Sequence, residues 1–197
     1  RGLVDEIIVI DSGSTDGTQA LCESLGARVI HNDWVGYGPQ KRFAEDCARN
    51  HIILNLDADE WLSDDLREEL RLLLSQPSLP AQTFKMRVTI VYPHREAPAP
   101  FADSTICLRL YDKRIVRFSP SLVHDNVPET ADCVMLRGRI YHKSFRQLAD
   151  VVRKELAYFE LQSQEKNKSR FGLFFRVTIE LPWQFFRYYI LSRHCFG

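Results

Sequence analysis

Ile52-Ile53-Leu54-Asn55-Leu56-Asp57-Ala58-Asp59-Glu60 is a mostly apolar run that ends in three carboxylates. Its length and β-branched content predict a buried strand. Open α/β sheets collect ligands at the C-terminal ends of their strands, which is where these acids fall. Asp57 and Asp59 are separated only by Ala58, so both can turn toward one cation. Oxygen donors of this kind suit Mg²⁺ or Mn²⁺, and Mg²⁺ commonly arrives with phosphates. The plainer alternative is a solvated acidic loop, with Glu60 as a helix-dipole partner. Against it, charge placed directly on an apolar run is costly unless it is partnered.

A second acid ends a second apolar run. Glu6 to Asp11 reads as a strand, and Ser12-Gly13-Ser14-Thr15-Asp16-Gly17-Thr18 follows as a tight polar loop. Ser14, Thr15 or Asp16 can cap a helix running to about Leu25, which Gly26 ends. A carboxylate at Asp11 can accept a hydrogen bond from a base N–H or a ribose hydroxyl, and the short residues after it let a ligand approach the backbone. The loop has neither GxxxxGK[ST] nor GxGxxG, which excludes a P-loop and weakens a dinucleotide dehydrogenase.

Arg28–Ile30 reads as a strand, Gln40–Arg49 as a helix and Asp64–Ser75 as a helix capped by Ser63. Three β-loop-α units therefore precede residue 80, which predicts an α/β fold with a mostly parallel sheet flanked by helices. The pattern then changes. Phe84–Tyr92, Ile106–Tyr111, Ile115–Phe118 and Val134–Tyr141 read as strands of a mixed β extension, with the proline-bearing stretch His94–Asp103 as a loop. Gln147–Gln164 and Leu173–Arg193 read as C-terminal helices, the second interrupted at Pro182. Two domains are expected: a catalytic domain over 1–145 and a helical, basic-aromatic extension over 146–197.

The formal net charge of zero hides an asymmetry. Residues 1–136 hold 14 Lys and Arg against 21 Asp and Glu, a net of −7, and residues 137–197 hold 12 against 5, a net of +7. A basic tail points to an anionic partner: phosphate, acidic glycan or membrane surface. The five cysteines form no CxxC, which argues against a zinc cluster or a disulfide framework and for a reducing cytosol. The segment 171–196 interleaves aromatics with Arg176, Arg187 and Arg193. It has no run of about 20 apolar residues, so a spanning helix is excluded there and an interfacial helix on an anionic membrane is expected. No nucleic-acid-binding motif accompanies it.

Two acidic motifs in order, Asp5 to Thr18 and Leu56-Asp57-Ala58-Asp59-Glu60, resemble the family 2 glycosyltransferases of GT-A fold. Trp34-Val35-Gly36-Tyr37-Gly38-Pro39-Gln40-Lys41 and Val123-His124-Asp125 resemble a narrower branch, the lipopolysaccharide-core β-glycosyltransferases. The resemblance implies an inverting transfer of a hexose, glucose first, from a nucleotide-diphosphate sugar such as UDP-glucose to a lipid-linked or glycan acceptor. It implies a peripheral position on the inner, cytoplasmic face of the membrane. Asp11 and Ser12 would meet the nucleotide, Lys41 the base or phosphates, and Asp57 the ribose or metal. Asp59 would hold Mg²⁺ or Mn²⁺, with His142 near the donor phosphates or metal and His124 a weaker candidate. Arg109 reads either as a phosphate ligand or as a surface strand charge. The acceptor-side base would be Asp125, with Glu129 and Asp103 as rivals; a turn-forming Asp before Asn126 and Pro128 is the alternative for Asp125.

Two departures stand out. The family's first strand would precede Arg1, so the chain reads as a piece of a longer protein. The position after Lys41, often Asn in the family, is Arg42. Two rival functions remain: a non-catalytic glycosyltransferase-like module at the membrane, and a DxD phosphatase, against which Trp61 counts because Thr or Val is expected there.

Overall fold

The computed structural model describes residues 2–122, 126–143, 153, 179 and 181–186. The chain divides into two compact units, Arg1–Leu161 and Gln162–Gly197. The architecture of the first is α/β, as the alternation predicts, but its larger sheet is mixed and not mostly parallel, because the long strands after residue 80 pair largely antiparallel. It opens β1 (Ile8–Asp11), α1 (Thr18–Ser24), β2 (Arg28–His31), α2 (Tyr37–Cys47) and β3 (Ile52–Leu54), then β4 (Glu60–Leu62) and α3 (Asp64–Leu74). Three long strands follow: β5 (Thr83–Ile90), β6 (Ser104–Asp112) and β7 (Val134–His142). β1 and β2 pair in parallel, and a mixed sheet runs β3-β6-β5-β7-β4, with β5 and β7 parallel and the other ladders antiparallel.

Alternation along β3 and, with a bulge at Arg109 that shifts its register, along β6 builds two apolar layers. Ile52, Leu54, Cys107 and Leu110 face a core with Leu66, Leu70 and Leu73 of α3 and Phe84, Met86 and Ile140 of the sheet. Ile53, Leu108 and Tyr111 face the other side, with Val116, Phe118 and Val127. Successive strand side chains point to opposite faces, so the near-continuous apolar reading of β3 is what a strand packed on both sides requires. Each fully buried Leu is worth about 1.5–3 kcal/mol. α3 is locked to β7 by more than packing. The Ser63 hydroxyl accepts from Leu66 N and Arg139 N, and the Glu69 carboxylate from Arg137 N and Gly138 N. A side chain at Gly138 would run into the Leu66 backbone. The last strand residue, His142, is thereby held at a fixed place.

Several boundaries differ from expectation. Ile115–Phe118 is not a strand. The Asp112 carbonyl accepts from Ile115 N and Val116 N in a turn, and Phe118 N donates to the Glu45 carboxylate instead of a neighbouring strand. α2 begins earlier than predicted, at Tyr37, with Gly36 at φ 150° before it and Pro39 in its first turn, where a missing N–H costs nothing. Tyr37 N and Gly38 N donate to the Leu122 and Ser121 carbonyls. No side chain fits at Gly38, because Ser119 and Ser121 carbonyl oxygens occupy its place. β4 escaped prediction because three residues between an acidic loop and a helix cap carry no alternation. Of the two C-terminal helices, Leu181–Phe186 is helical (α4) and the remainder lies outside the described residues apart from Arg153 and Ile179.

Candidate active site

Asp57 lies in the loop between β3 and β4. Asn55 N donates to the Arg109 carbonyl (2.8 Å), carrying the β3–β6 ladder one residue past the strand. The Arg109 side chain reaches back under the loop. It donates to Asn55 Oδ1 (2.8 Å), Asp57 Oδ2 (3.3 Å) and Glu60 Oε1 (2.6 Å). From the opposite side Lys41 of α2 places its ammonium 2.8 Å from Asp57 Oδ1 and 5.0 Å from the Phe118 ring centroid. Burial alone would push the Asp57 carboxyl up; the charges of Lys41 and Arg109 outweigh it and hold the group below its ordinary range. Glu60 is different. Its side chain has no solvent exposure, and burial pushes it up despite Arg109 beside it.

Asp59, the next acid, faces His142 at the end of β7, with 3.2 Å between Oδ2 and Nε2. The β4–β7 register sets this distance by pairing Glu60 with His142, and Lys143 N donates to the Asp59 carbonyl. The Lys143 ammonium lies 6.0 Å from the Trp61 ring centroid and 3.7 Å from Glu96. No cluster of three His, Cys, Asp or Glu side chains able to cage a cation occurs among the described residues. A carboxylate–imidazole pair still fits a divalent ion that takes its other ligands from water and a diphosphate, and the nitrogen donor favours Mn²⁺ over the harder Mg²⁺. Asp57, engaged by two cations, is less suited to that task than its spacing predicts.

Asp11 sits at the end of β1. Its Oδ2 accepts from Gly13 N (2.8 Å), Ser14 N (2.9 Å) and Gln19 Nε2 (2.6 Å). Hydrogen bonds from Ser14, then Gly13 and Gln19, hold its carboxyl far below the ordinary range. Gly13 has φ 102°, the left-handed conformation this close wrap needs. Asp16 accepts from Thr18 N and Oγ1 just before α1.

α2 connects the two loops. Gln40 donates to Ser12 Oγ (2.9 Å) and accepts from Asn32 (2.7 Å), while the next residue, Lys41, meets Asp57. Lys41, Asp57 and Arg109 thus form one network, Asp59 and His142 a pair, and Asp11 and Ser12 a loop tied to the same helix. Arg109 is no surface strand charge: it is 7 % exposed, with its partners in the acidic loop. Arg42, the departure from the family pattern, donates to the Phe118 carbonyl (2.7 Å). Asp125, the first choice on the acceptor side, and His124, the weaker candidate for the phosphates or metal, lie outside the described residues; the acceptor-side rivals are both placed. Glu129 pairs with Lys85 (2.6 Å), and the Asp103 carbonyl accepts from Ile90 N in the sheet. Sequence reasoning missed Glu60, Gln40 and Asn55. The only signal for Gln40 was its place beside Lys41; Glu60 finds Arg109 from 49 positions away.

A family model described as Glycosyl transferase family 2 matches residues 1–127. An uncharacterized glycosyltransferase of Rickettsia felis is 35% identical over 205 residues, covering 98% of this chain and 72% of the relative. The lipopolysaccharide core biosynthesis glycosyltransferase LpsC of Rhizobium meliloti is 44% identical over 75 residues, 36% of this chain and 28% of that protein. The crystal structure of S. aureus TarS 1–349 covers 73% of this chain and 54% of that one at 15% identity, with a TM-score of 0.48. With two thirds of the Rickettsia relative matched and the family model spanning both acidic motifs, the chain belongs to glycosyl transferase family 2.

Proposed function

We propose that this family 2 glycosyltransferase moves a hexose, with glucose from UDP-glucose ranked first, to a lipopolysaccharide-core or related surface glycan, with inversion and with Mn²⁺ or Mg²⁺. The observation that carries the reading is the convergence on α2: Gln40 ties down the Asp11 loop, and Lys41 pairs with Asp57. Asp59 and His142 lie two residues beyond Asp57 and at the end of β7. Asp11 and Ser12 would hold the nucleoside. Asp57 with Lys41 would hold the ribose and the adjoining phosphate, and Arg109 acts beneath them. Asp59 and His142 would hold the cation. When bound, that cation neutralises the charge developing on the departing diphosphate. The partial likeness to LpsC supports the acceptor class.

In an inverting transfer the acceptor hydroxyl oxygen attacks the anomeric carbon as the bond to the diphosphate oxygen breaks. A carboxylate takes the hydroxyl proton. Asp125 is our choice. The carbonyls of Ser121 and Leu122 just before it are bonded to the first turn of α2, one turn ahead of Lys41, and Ser119 N donates to the carbonyl of Asn126 just after it. The engagement of Glu129 by Lys85 favours Asp125 over that rival.

Among the described residues no helix is long and apolar enough to cross a membrane. Ile179, Trp183 and Phe186 are exposed at helical spacing, with the last two rings stacked at 6.0 Å. In a segment of net positive charge this supports seating on an anionic membrane surface, where a lipid-linked acceptor would be presented.

The test is a donor screen on purified protein, with Mn²⁺, Mg²⁺ or EDTA, several sugar nucleotides, and nucleoside diphosphate release as the readout. UDP release from UDP-glucose, dependent on the cation and lost in Asp59→Ala, is the expected result. Undiminished donor hydrolysis in Asp59→Ala overturns the metal assignment.

A further inference from the structure

We propose that Glu60 is a positioning residue: with Arg109 it forms a buried clamp that orders the Asn55–Asp59 loop and sets the Asp57 carboxylate toward Lys41. The donor-site part of this inference rests on the function proposed above.

Both oxygens of Glu60 are engaged. Oε1 accepts from Arg109 at 2.6 Å and Oε2 from the Asp57 backbone N–H at 3.0 Å. The Glu60 side chain has no exposure and that of Arg109 is 9 % exposed, so neither acts as a metal or substrate ligand from where it stands. Arg109 spans the loop's base, from Asn55 Oδ1 to Glu60, and touches Asp57 only at 3.3 Å. Its buried Nε has no hydrogen-bond partner among the described residues. A guanidinium that leaves one donor unsatisfied is fixed by its other contacts, and the shortest is to Glu60.

The charges explain the arrangement. Lys41 and Arg109 face Asp57 and Glu60, two of each sign. Glu60 takes up most of the guanidinium, which leaves Asp57 Oδ1 to Lys41. Without the Glu60 charge, a buried Arg109 has, among the described residues, only Asp57 as an ionised partner and draws it inward, away from Lys41. The Asp57 backbone simultaneously loses the acceptor of its N–H. A residue three positions from the loop's first acid thus controls where that acid points, without touching a ligand.

The test has a ligand-free arm and a nucleotide arm. Amide hydrogen exchange is measured on wild type and Glu60→Ala. We expect exchange across residues 55–59 to accelerate about tenfold or more, with the α3 amides of Leu66 and Leu70 within about twofold. Unchanged loop exchange, or equal acceleration in α3, overturns the clamp and makes Glu60 a general contributor to stability. Glu60→Gln removes the charge and leaves a single acceptor oxygen for two donors, the Asp57 N–H and Arg109, so one of the two bonds is lost as well. Should Glu60→Ala not fold, Glu60→Gln takes its place in the exchange arm. For Glu60→Gln, binding of UDP with Mn²⁺, measured well below the unfolding temperature, is expected to weaken about tenfold. Affinity within about twofold of wild type overturns the positioning role. Wild-type protein that binds neither UDP nor UDP-glucose overturns the donor-site reading, and the exchange arm still decides the clamp.

Discussion

Asp11 ends β1 and Asp57 lies in the loop just past β3; both are held below the ordinary carboxylate range, and they reach that state by opposite means. Asp11 is surrounded by neutral donors two, three and eight positions away: the Ser14 side chain, two backbone amides and the Gln19 side chain. Asp57 is surrounded by cations from α2 and β6. Neutral donors stabilise a carboxylate and leave its formal charge in place. Cations cancel the charge and tie the acid to distant elements. On the function proposed above, a site with one acid of each kind keeps a negative end that would accept from a nucleobase N–H. Its other end is balanced, and on the same proposal would release Lys41 to a phosphate when a donor arrives.

The strongest way to break this contrast is to remove the acid from the balanced end. Asp57→Ala removes the carboxylate 2.8 Å from Lys41 and, among the described residues, leaves Arg109 with Glu60 as its ionised partner. Binding of UDP with Mn²⁺ should weaken about a hundredfold, the upper range for a lost charge-assisted contact, as measured by calorimetry. A smaller loss than in Asp11→Ala would reverse the ranking of the two ends.

A sharper comparison removes one partner from each acid. Lys41→Met severs the contact at 2.8 Å from Asp57 and should weaken nucleotide binding about tenfold. Gln19→Ala removes one of the neutral donors to Asp11 and should change binding by about threefold at most, because Ser14 and the two backbone amides remain. Equal effects would mean that the charge of the partner is irrelevant.

The same contrast separates what was legible in the sequence from what was not. The Asp11 loop was readable because its partners are local: Ser-Gly-Ser after a strand, and a helix starting within reach. Asp57 and Asp59 announced themselves by standing at the end of an apolar run. Their partners did not. Arg109 looked equally like a phosphate ligand or a surface charge, because nothing in Leu108-Arg109-Leu110 shows which face of β6 it occupies or that β6 lies beside β3. Glu60 was read as a helix-dipole partner for the same reason. Ile115–Phe118 had strand composition, but Glu45, far off in the chain, accepts the Phe118 N–H and Tyr111 hydroxyl and draws the segment to α2. Local pattern located the acids; only pairing across the sheet showed what they hold.

Gln40 is where the two ends meet, and its loss should have a smaller effect. It is 9 % exposed, donates to Ser12 and accepts from Asn32. Gln40→Ala should lower stability by about 1 kcal/mol in a denaturant titration, the usual worth of such bonds. Its effect on nucleotide binding should add to that of Gln19→Ala less than independently, because both act on the Asp11 loop. Full additivity would mean that the bridge through α2 does not couple to that loop.

The smallest effect concerns pH, and here two acids of one loop have opposite signs. The Asp57 carboxyl is lowered from its usual 3.8, so its contribution to stability is complete above that value and is lost as pH falls through the lower folded one. Glu60 is raised from its usual 4.5, so the folded state binds its proton first. Between 4.5 and that raised value, stability attributable to Glu60 increases as pH falls. The thermal stability of wild type minus that of Asp57→Asn should therefore be flat from neutrality to about pH 5 and shrink below about pH 4. Wild type minus Glu60→Gln should instead shift in favour of wild type as pH falls from neutrality toward about 4.5. Parallel curves for the two variants would show that Arg109 serves both carboxylates alike, and that the division of its contacts between 2.6 and 3.3 Å has no energetic meaning.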